Sequence, residues 1–283
     1  MSYTAEISRN NPTYFVFILD QSGSMLDPFG GQAVEGVSSK SDFLADVVNR
    51  TLHGLVMRCT KPEEVRNYYH ISIIGYGRGV GSAFGGALAG REIVPISEVA
   101  ENPVKVEIRM KKISDGAGGV VEQQVKFPIW VEPQGNNGTP MCAALKQAEE
   151  LIKKWISDPA HKTCFPPTVL HITDGESSDG DPTEIGRNLS SLGVNDGQVL
   201  LYNCHISSDK SPKTEYPLNS EELSNQYAKS LFEFSSVLPS NFQEVAKQIG
   251  LSVKDNSRGF VFNADATALV QFFDIGTRSA GLR

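Results

Sequence analysis

Phe15-Val16-Phe17-Ile18-Leu19-Asp20-Gln21-Ser22-Gly23-Ser24-Met25 is an apolar run that stops abruptly in an Asp-x-Ser-x-Ser sequence. A run this apolar predicts a strand that is buried on both faces. The carboxylate and the two hydroxyl groups that follow it would then lie on a turn at the carboxyl end of the strand, where open α/β sheets hold ligands. The stretch therefore predicts both the class of fold and the edge of the sheet that carries a site.

Strands and helices alternate along the rest of the chain. Helical spacing of apolar residues predicts helices over 42–59, 139–155, 182–192 and 265–278, with shorter helical patches at 223–232 and 242–249. Short apolar runs predict further strands over 68–76, 168–173, 199–205 and 259–262. This alternation predicts an α/β fold with a doubly wound, mainly parallel sheet flanked by helices, of Rossmann-like architecture. Phe272 and Phe273 of the last helix are interpreted as ordinary core residues.

The segment from about 78 to 133 has a different pattern. Val106, Ile108 and Met110 alternate with charged residues, and apolar alternation resumes near Val125 after a glycine-rich stretch. We expect a half-buried antiparallel hairpin, inserted at an edge of the sheet or extending it. The preceding glycine run, 75–81, is expected to be a loop that ends the second strand. We expect one domain over 1–283, with a core over about 13–278 and this segment as an insertion.

The composition indicates which types of partner and which cellular compartment to expect. The chain has 283 residues and a formal net charge of -7, which argues against nucleic acid or an anionic membrane as the main partner. The polar N-terminus and the lack of a long apolar run lead us to expect neither a signal peptide nor a membrane span, and therefore a cytoplasmic protein. Four scattered cysteines without a Cys-x-x-Cys pair are interpreted as buried thiols in a reducing compartment.

Oxygen-bearing side chains are expected at three places on one edge of the sheet. Asp20, Ser22 and Ser24 follow the first strand, Asp174 follows a later strand, and Thr139 is predicted to be the N-cap of a helix because Pro140 follows it. Two carboxylates and three hydroxyl groups are the hard ligands that Mg²⁺ prefers, with Mn²⁺ or Ca²⁺ as alternatives. Taken singly, each group also has an ordinary explanation as a cap or a turn residue.

This arrangement resembles the von Willebrand factor type A (vWA) family, whose metal-ion-dependent adhesion site combines Asp-x-Ser-x-Ser, a later Thr and a later Asp commonly followed by Gly. The matching residues are Asp20, Ser22, Ser24, Thr139 and Asp174, the last of them followed by Gly175. The resemblance implies that these five residues hold the metal directly or through water. It further suggests an intracellular prokaryotic member, similar to tellurite- or stress-resistance proteins.

Three functions are compatible with these residues. The favoured one is a non-catalytic module whose Mg²⁺ binds an Asp or Glu of a partner protein, because hydroxyl ligands leave the ion incompletely neutralised. A metal-assisted phosphohydrolase that uses Asp20 is the second, although the sequence shows no lysine in a convincing place to hold a phosphoryl group. The third is a phosphorylated regulatory subunit that works with a kinase or phosphatase. Neither the partner nor the oligomeric state follows from the sequence.

Overall fold

The computed structural model describes residues 2–29, 38–114, 119–207, 212–223 and 225–278. The helices are α1 Lys40–Cys59, α2 Ile96–Glu101, α3 Met141–Ile156, α4 Thr183–Ser191, α5 Gln226–Glu233, α6 Ser240–Gln248 and α7 Ala266–Gly276. The longer strands are β1 Thr13–Asp20, β2 Tyr69–Tyr76, β5 Lys105–Ser114, β6 Val120–Ile129, β7 Thr168–Thr173, β10 Leu200–Ile206 and β12 Phe260–Ala264. The short strands are β3 Val80–Ser82, β4 Val94–Pro95, β8 Gly193–Val194, β9 Gly197–Gln198 and β11 Thr214–Glu215.

The main sheet has the order β11-β12-β10-β7-β1-β2-β3, with β4 also paired to β2. The five central strands run parallel, and the antiparallel strands β3, β4 and β11 pair only with the outer strands β2 and β12. All eight residues of β1 are buried, as its apolar sequence predicts for a strand covered on both faces. The predicted α/β class and mainly parallel sheet are therefore confirmed.

Alternate residues of β1 point into two separate cores, one on each face of the sheet. Phe17 stacks on Phe273 of α7, and the same core contains the buried stripe of α1. On the other face Tyr14 stacks on Trp155 of α3. Phe272 and Phe273 are both buried, so their interpretation as core residues is confirmed. This side-to-side alternation along one strand is what allows helices to cover both faces.

The predicted hairpin forms, but only its second strand buries the residues expected, since Phe127 and Ile129 of β6 are buried whereas the apolar residues described in β5 are exposed. Strands β5 and β6 pair only with each other, as a two-stranded antiparallel sheet that does not extend the main one. Ile108 and Met110, expected to be half-buried, are 59% and 57% exposed. The opposite face packs on α1 instead, because Arg109 forms an ion pair with Asp46 and its guanidinium lies 3.6 Å from the centroid of the Phe127 ring. A cation held between an aromatic ring and a carboxylate thus replaces the expected aliphatic contact.

Two local predictions were also wrong. The glycine run at 75–81 is not only a loop: β2 ends at Tyr76 as predicted, but β3 then returns antiparallel to it from Val80. Thr139 is not the N-cap of α3, which begins at Met141 and has Pro140 at the N-cap position without a side-chain hydrogen bond. The other long helices and strands lie within a few residues of their predicted bounds, as is usual for element ends.

The four cysteines Cys59, Cys142, Cys164 and Cys204 are buried and unpaired, in agreement with their interpretation as buried thiols. Among the residues that the structure describes, no helix has the length and apolar character needed to cross a membrane.

Candidate metal centre

The candidate site lies where the direction of the sheet winding reverses. From β1 the chain continues through α1 to β2 on one side, whereas β7 pairs with the other side of β1 and leads on to β10. The carboxyl ends of β1 and β7 therefore open a crevice between diverging connections, which is the usual ligand position in such sheets. Thr173 at the end of β7 donates a hydrogen bond from Oγ1 to Asp20 Oδ2 at 2.9 Å, so the two strand ends are joined there.

Asp20 is the buried carboxylate at the base of the site, with 1% of its surface exposed. Its Oδ1 accepts a hydrogen bond from the backbone N–H of Ser22 at 2.8 Å, which orders the turn that follows β1. Burial raises the pKa of Asp20; hydrogen bonding by Ser22 opposes this rise, and the charge of Asp174 adds to it. A cation bound beside Asp20 would stabilise the charged form of this carboxylate and so oppose the rise in its pKa.

Three oxygen atoms converge above Asp20. Ser22 Oγ and Ser24 Oγ lie 3.0 Å apart, and they lie 3.3 and 2.9 Å from Asp174 Oδ1. An octahedral Mg²⁺ with oxygen ligands at about 2.1 Å separates neighbouring ligands by about 3 Å. The triangle therefore matches one face of such an octahedron. Ser22 is buried and Ser24 is exposed, so the triangle faces solvent on one side.

Lys40 is part of the site although sequence reasoning did not find it. Its Nζ lies 2.6 Å from Asp174 Oδ2, and the two side chains are only 4% and 0% exposed. The sequence does carry a signal for its position. Ser39 and Asp42 form a reciprocal capping box, which fixes Lys40 in the first turn of α1.

The loop that carries Thr139 lies against the turn after β1. The backbone N–H of Asn136 donates to Gln21 O at 2.6 Å, and Asn136 also forms a parallel bridge with Ser22. Thr139 is held through its backbone: its N–H donates to Ser178 Oγ at 3.0 Å and its carbonyl oxygen accepts from the Ser178 N–H at 2.9 Å. The structure thus brings Asp20, Ser22, Ser24 and Asp174 into contact and places Thr139 in the adjoining loop.

Asp179 supplies the helix cap that was expected from Thr139. Its two carboxylate oxygens accept the backbone N–H groups of Cys142 and Ala143, each at 2.9 Å. Burial raises the pKa of Asp179, but these two hydrogen bonds, together with those from the Ser177 and Cys142 side chains, lower the pKa below its ordinary value. A charged acceptor binds free N–H groups at a helix start more strongly than a hydroxyl group does, so Thr139 is not needed as the cap.

A buried polar chain supports the floor of the site. Tyr76 Oη lies 2.8 Å from His171 Nε2, and His171 Nδ1 lies 2.8 Å from Asn203 Oδ1. Asn203 Oδ1 can only accept, so His171 Nδ1 carries the proton and Nε2 accepts from Tyr76. Complete burial lowers the pKa of His171 to about 4, so the ring is neutral at pH 7. Both ring nitrogens of the neutral imidazole are engaged in hydrogen bonds, which leaves His171 no role as a base.

An open groove of about 570 Å³ begins at Asp174 and runs past His205 and Tyr227. Glu176 and Glu222 also line it, and no lysine or arginine is among the lining residues that belong to the described ranges. Within the described part of the chain, no group of three or more His, Cys, Asp or Glu side chains is placed to hold a metal ion. A cation at the site would therefore depend on the serine hydroxyl groups as well as on the two carboxylates.

No protein-family model matches the chain, and no curated protein matches it. Among solved structures it is similar to proximal thread matrix protein 1 from the mussel byssus, at 12% identity and a TM-score of 0.44 over 96% of this chain and 49% of that one. It is also similar to manganese-loaded TRAP protein of Plasmodium vivax, at 11% identity and a TM-score of 0.41 over 96% of this chain and 75% of that one. The vWF domain of the pili tip protein Mfa5 from Porphyromonas gingivalis matches at 14% identity and a TM-score of 0.32, over 59% and 39% of the two chains. The chain thus spans about half of the mussel protein's length and less of the Mfa5 domain's.

Proposed function

We propose that this chain is a protein-binding module that holds a divalent cation, Mg²⁺ by preference, and uses it to grip an aspartate or glutamate of a partner protein. The observation that carries the proposal is the triangle of Ser22 Oγ, Ser24 Oγ and Asp174 Oδ1, with sides of 2.9 to 3.3 Å. The resemblance of the Asp-x-Ser-x-Ser, Thr and Asp-Gly elements to the vWA family supports it. Asp20 and Thr139 complete the proposed ligand set, directly or through water.

Some residues of the site supply charge, whereas others supply neutral oxygen atoms or hold the ligands in position. Asp20 and Asp174 supply negative charge, whereas Ser22 and Ser24 supply oxygens without charge. A bound divalent cation would keep part of its charge and so attract a further carboxylate. Thr173 holds Asp20 in place, and Tyr227 Oη in turn donates to Thr173 Oγ1 at 3.2 Å. The exposed position of Ser24 leaves the solvent side of the triangle open to a partner.

The groove beside Asp174 is the proposed path for the partner chain. Because Glu176 and Glu222 line its described wall, the residues that flank the partner's carboxylate should be neutral or basic. The partner motif expected from this charge pattern is an isolated acidic residue with basic neighbours, rather than an acidic run.

The first experiment is calorimetric titration of chelator-stripped protein with Mg²⁺ and Mn²⁺. Wild type should bind one equivalent, and Ser24→Ala should bind more weakly because one corner of the triangle is lost. Ser157→Ala is the matched control, since Ser157 lies after α3 and its hydroxyl donates to Lys154 O at 2.7 Å. Equal binding by Ser24→Ala and wild type would contradict the site.

The second experiment tests the partner chemistry with displayed random peptides. Peptides captured in Mn²⁺ and released by EDTA should contain one essential Asp or Glu, and its replacement by Asn or Gln should abolish capture. Capture that persists in EDTA would contradict a grip through the metal.

A metal-assisted phosphohydrolase is the second candidate, and Lys40 is the observation in its favour. Its ammonium group lies 2.6 Å from Asp174, and a lysine near the carboxylates is what the sequence analysis did not find. Against it, both oxygens of Asp20 accept hydrogen bonds, so the carboxylate is not poised as a nucleophile. Mn²⁺-dependent hydrolysis of p-nitrophenyl phosphate that is lost in Asp20→Asn would favour this candidate over the binding module.

We also propose a cytoplasmic location and, on the family resemblance alone, a role in stress response. Four buried unpaired cysteines fit a reducing compartment. Fractionation of the native host tests the location.

A further inference from the structure

Lys40 is the one lysine or arginine of the described residues that forms an ion pair with a proposed metal ligand. Only 4% of its side chain is exposed, an unusual burial for a lysine, whose ammonium group is strongly hydrated in water. A lysine is held in such a place only if a carboxylate compensates the lost hydration, and Asp174 Oδ2 at 2.6 Å does so. Lys40 therefore neutralises the same carboxylate that the proposed metal needs.

The two oxygens of Asp174 divide their contacts between these roles. Oδ1 accepts hydrogen bonds from Ser22 and Ser24, and Oδ2 pairs with Lys40. A divalent cation at the serine triangle would lie within a few ångströms of the ammonium group, and the two would repel each other. Asp174 in this arrangement cannot satisfy both cations fully.

A second carboxylate is in place to receive Lys40. Asp27 Oδ2 lies 4.0 Å from Lys40 Nζ, and the Asp27 side chain is 60% exposed. The backbone N–H of Lys40 also donates to Asp27 O at 3.0 Å, which keeps the two residues together. A small movement of the flexible lysine chain would transfer the ammonium from Asp174 to Asp27 without returning it to bulk water.

We propose that Lys40 is a built-in competitor of the metal: it neutralises Asp174 when no metal is bound, and it moves to Asp27 when a divalent cation takes Asp174. This inference rests on the proposed metal-binding function and adds its regulation. The exchange lets the apo protein keep a stable buried carboxylate, at the cost of weaker metal binding. It also makes the first turn of α1 respond to metal, because Lys40 belongs to that turn.

The test compares Mn²⁺ affinity in wild type and Lys40→Met, with free Mn²⁺ measured by electron paramagnetic resonance at low ionic strength. Lys40→Met keeps the aliphatic chain and removes the charge. Its Kd for Mn²⁺ should be lower by about tenfold, because the metal no longer competes with an ammonium group for Asp174. Lys153→Met is the matched control, since Lys153 pairs with Glu149 on the surface of α3 and its loss should leave the Kd unchanged.

Thermal unfolding gives a second readout, and its measurement without metal does not depend on the affinity for Mn²⁺. Without metal, Lys40→Met should unfold at a lower temperature than wild type, because Asp174 is left buried and unpaired. Added Mn²⁺ should raise the unfolding temperature of Lys40→Met by more than it raises that of wild type. Asp27→Asn should weaken Mn²⁺ binding, because the displaced lysine then has no second carboxylate.

The outcomes separate this inference from the function on which it rests. If wild type binds Mn²⁺ and Lys40→Met binds it no more tightly, the competition is wrong while the metal site stands. If neither protein binds Mn²⁺, both the metal site and the competition are wrong. Lys40→Gln replaces Lys40→Met in the same comparison if circular dichroism shows that the methionine variant does not fold.

Discussion

Asp179 and Cys142 are joined by a 2.9 Å hydrogen bond between a carboxylate oxygen and a backbone N–H, and the other oxygen of Asp179 accepts the N–H of Ala143. The bond ties the loop after β7 to the first turn of α3. Asp174 stands at one end of this loop, and Thr139 lies just before the helix. The cap of one helix therefore also sets the spacing of two proposed metal ligands.

Removal of this cap should affect stability and metal binding together. Asp179→Ala should lower the free energy of unfolding by about 1–2 kcal/mol, since two N–H groups lose a charged acceptor. It should also weaken Mn²⁺ binding, because Thr139 and Asp174 lose their common anchor. Urea unfolding and Mn²⁺ titration measure the two effects. Asp255→Ala is the control, because Asp255 is an exposed residue in a turn, and it should change neither the stability nor the Mn²⁺ affinity. An Asp179→Ala protein with the stability and Mn²⁺ affinity of wild type would contradict the anchoring role.

Metal should stabilise the fold through Asp20. At a Mn²⁺ concentration of about 100 times the Kd, a single site raises the free energy of unfolding by about 2.7 kcal/mol. Asp20→Asn keeps the shape of the side chain and removes its charge, so this gain should largely disappear. Chemical unfolding with and without Mn²⁺ gives the difference directly. An equal gain in both proteins would place the metal elsewhere in the chain.

Gly77 should be needed for the geometry of the turn after β1. A Cβ atom at this position would lie 2.4 Å from the carbonyl oxygen of Gln21, whose neighbour is Ser22. Gly77→Ala should therefore displace the turn, lower stability by about 1–3 kcal/mol and weaken Mn²⁺ binding. Gly79→Ala is the matched control, because a Cβ there would meet nothing within 4 Å. Similar behaviour of the two variants would show that the turn tolerates the shift.

Acid should destabilise the protein through His171. Burial lowers its pKa to about 4, whereas the unfolded chain takes up a proton near the ordinary value of 6.5. The unfolded state thus binds more protons as the pH falls, and the stability present above pH 6.5 is lost progressively down to about pH 4. The loss for this group approaches about 1.4 kcal/mol per pH unit. Urea unfolding from pH 7.5 to 4.5 measures it.

His171→Gln serves as the comparison, because glutamine can hydrogen-bond but does not titrate. The slope of its unfolding free energy against pH should be smaller by the contribution of one titrating histidine. A residual slope is expected from His70 and His205, since burial lowers the pKa of each to about 4 as well. Identical slopes for the variant and wild type would contradict the assignment.

The two strands of the hairpin should differ in how much their apolar residues contribute to stability. Ile108→Lys should change the free energy of unfolding by no more than about 0.5 kcal/mol, because Ile108 is 59% exposed. Phe127→Ala should lower it by about 3–5 kcal/mol, since Phe127 is 8% exposed and lies beneath Arg109. Thermal or urea unfolding distinguishes the two. A large loss in Ile108→Lys would mean that the apolar face is covered in solution.

The sequence is informative where one segment decides its own structure. Strand β1 and the turn from Asp20 to Ser24 are local, and their apolar run and motif predict them. Lys40 and Asp179 are different, because each acts on a partner that lies far away in sequence, and nothing local specifies which carboxylate or N–H it meets. The prediction for strand β5 of the hairpin was wrong for another reason. Alternation along one strand shows which residues share a face, but it does not show which face meets α1. On β6 this is the apolar face with Phe127, and on β5 it is the charged face with Arg109.

The self-contained pairing of β5 and β6 has a consequence for how this region can vary. All ten of its register pairs join the hairpin to itself, from Lys105 with Ile129 to Ser114 with Val120. The ribbon can therefore grow or shrink by one residue from each strand without breaking a backbone hydrogen bond of the main sheet. Related chains would therefore be free to differ in the length of this hairpin. A sequence alignment that penalised such differences would underestimate how closely the chains are related.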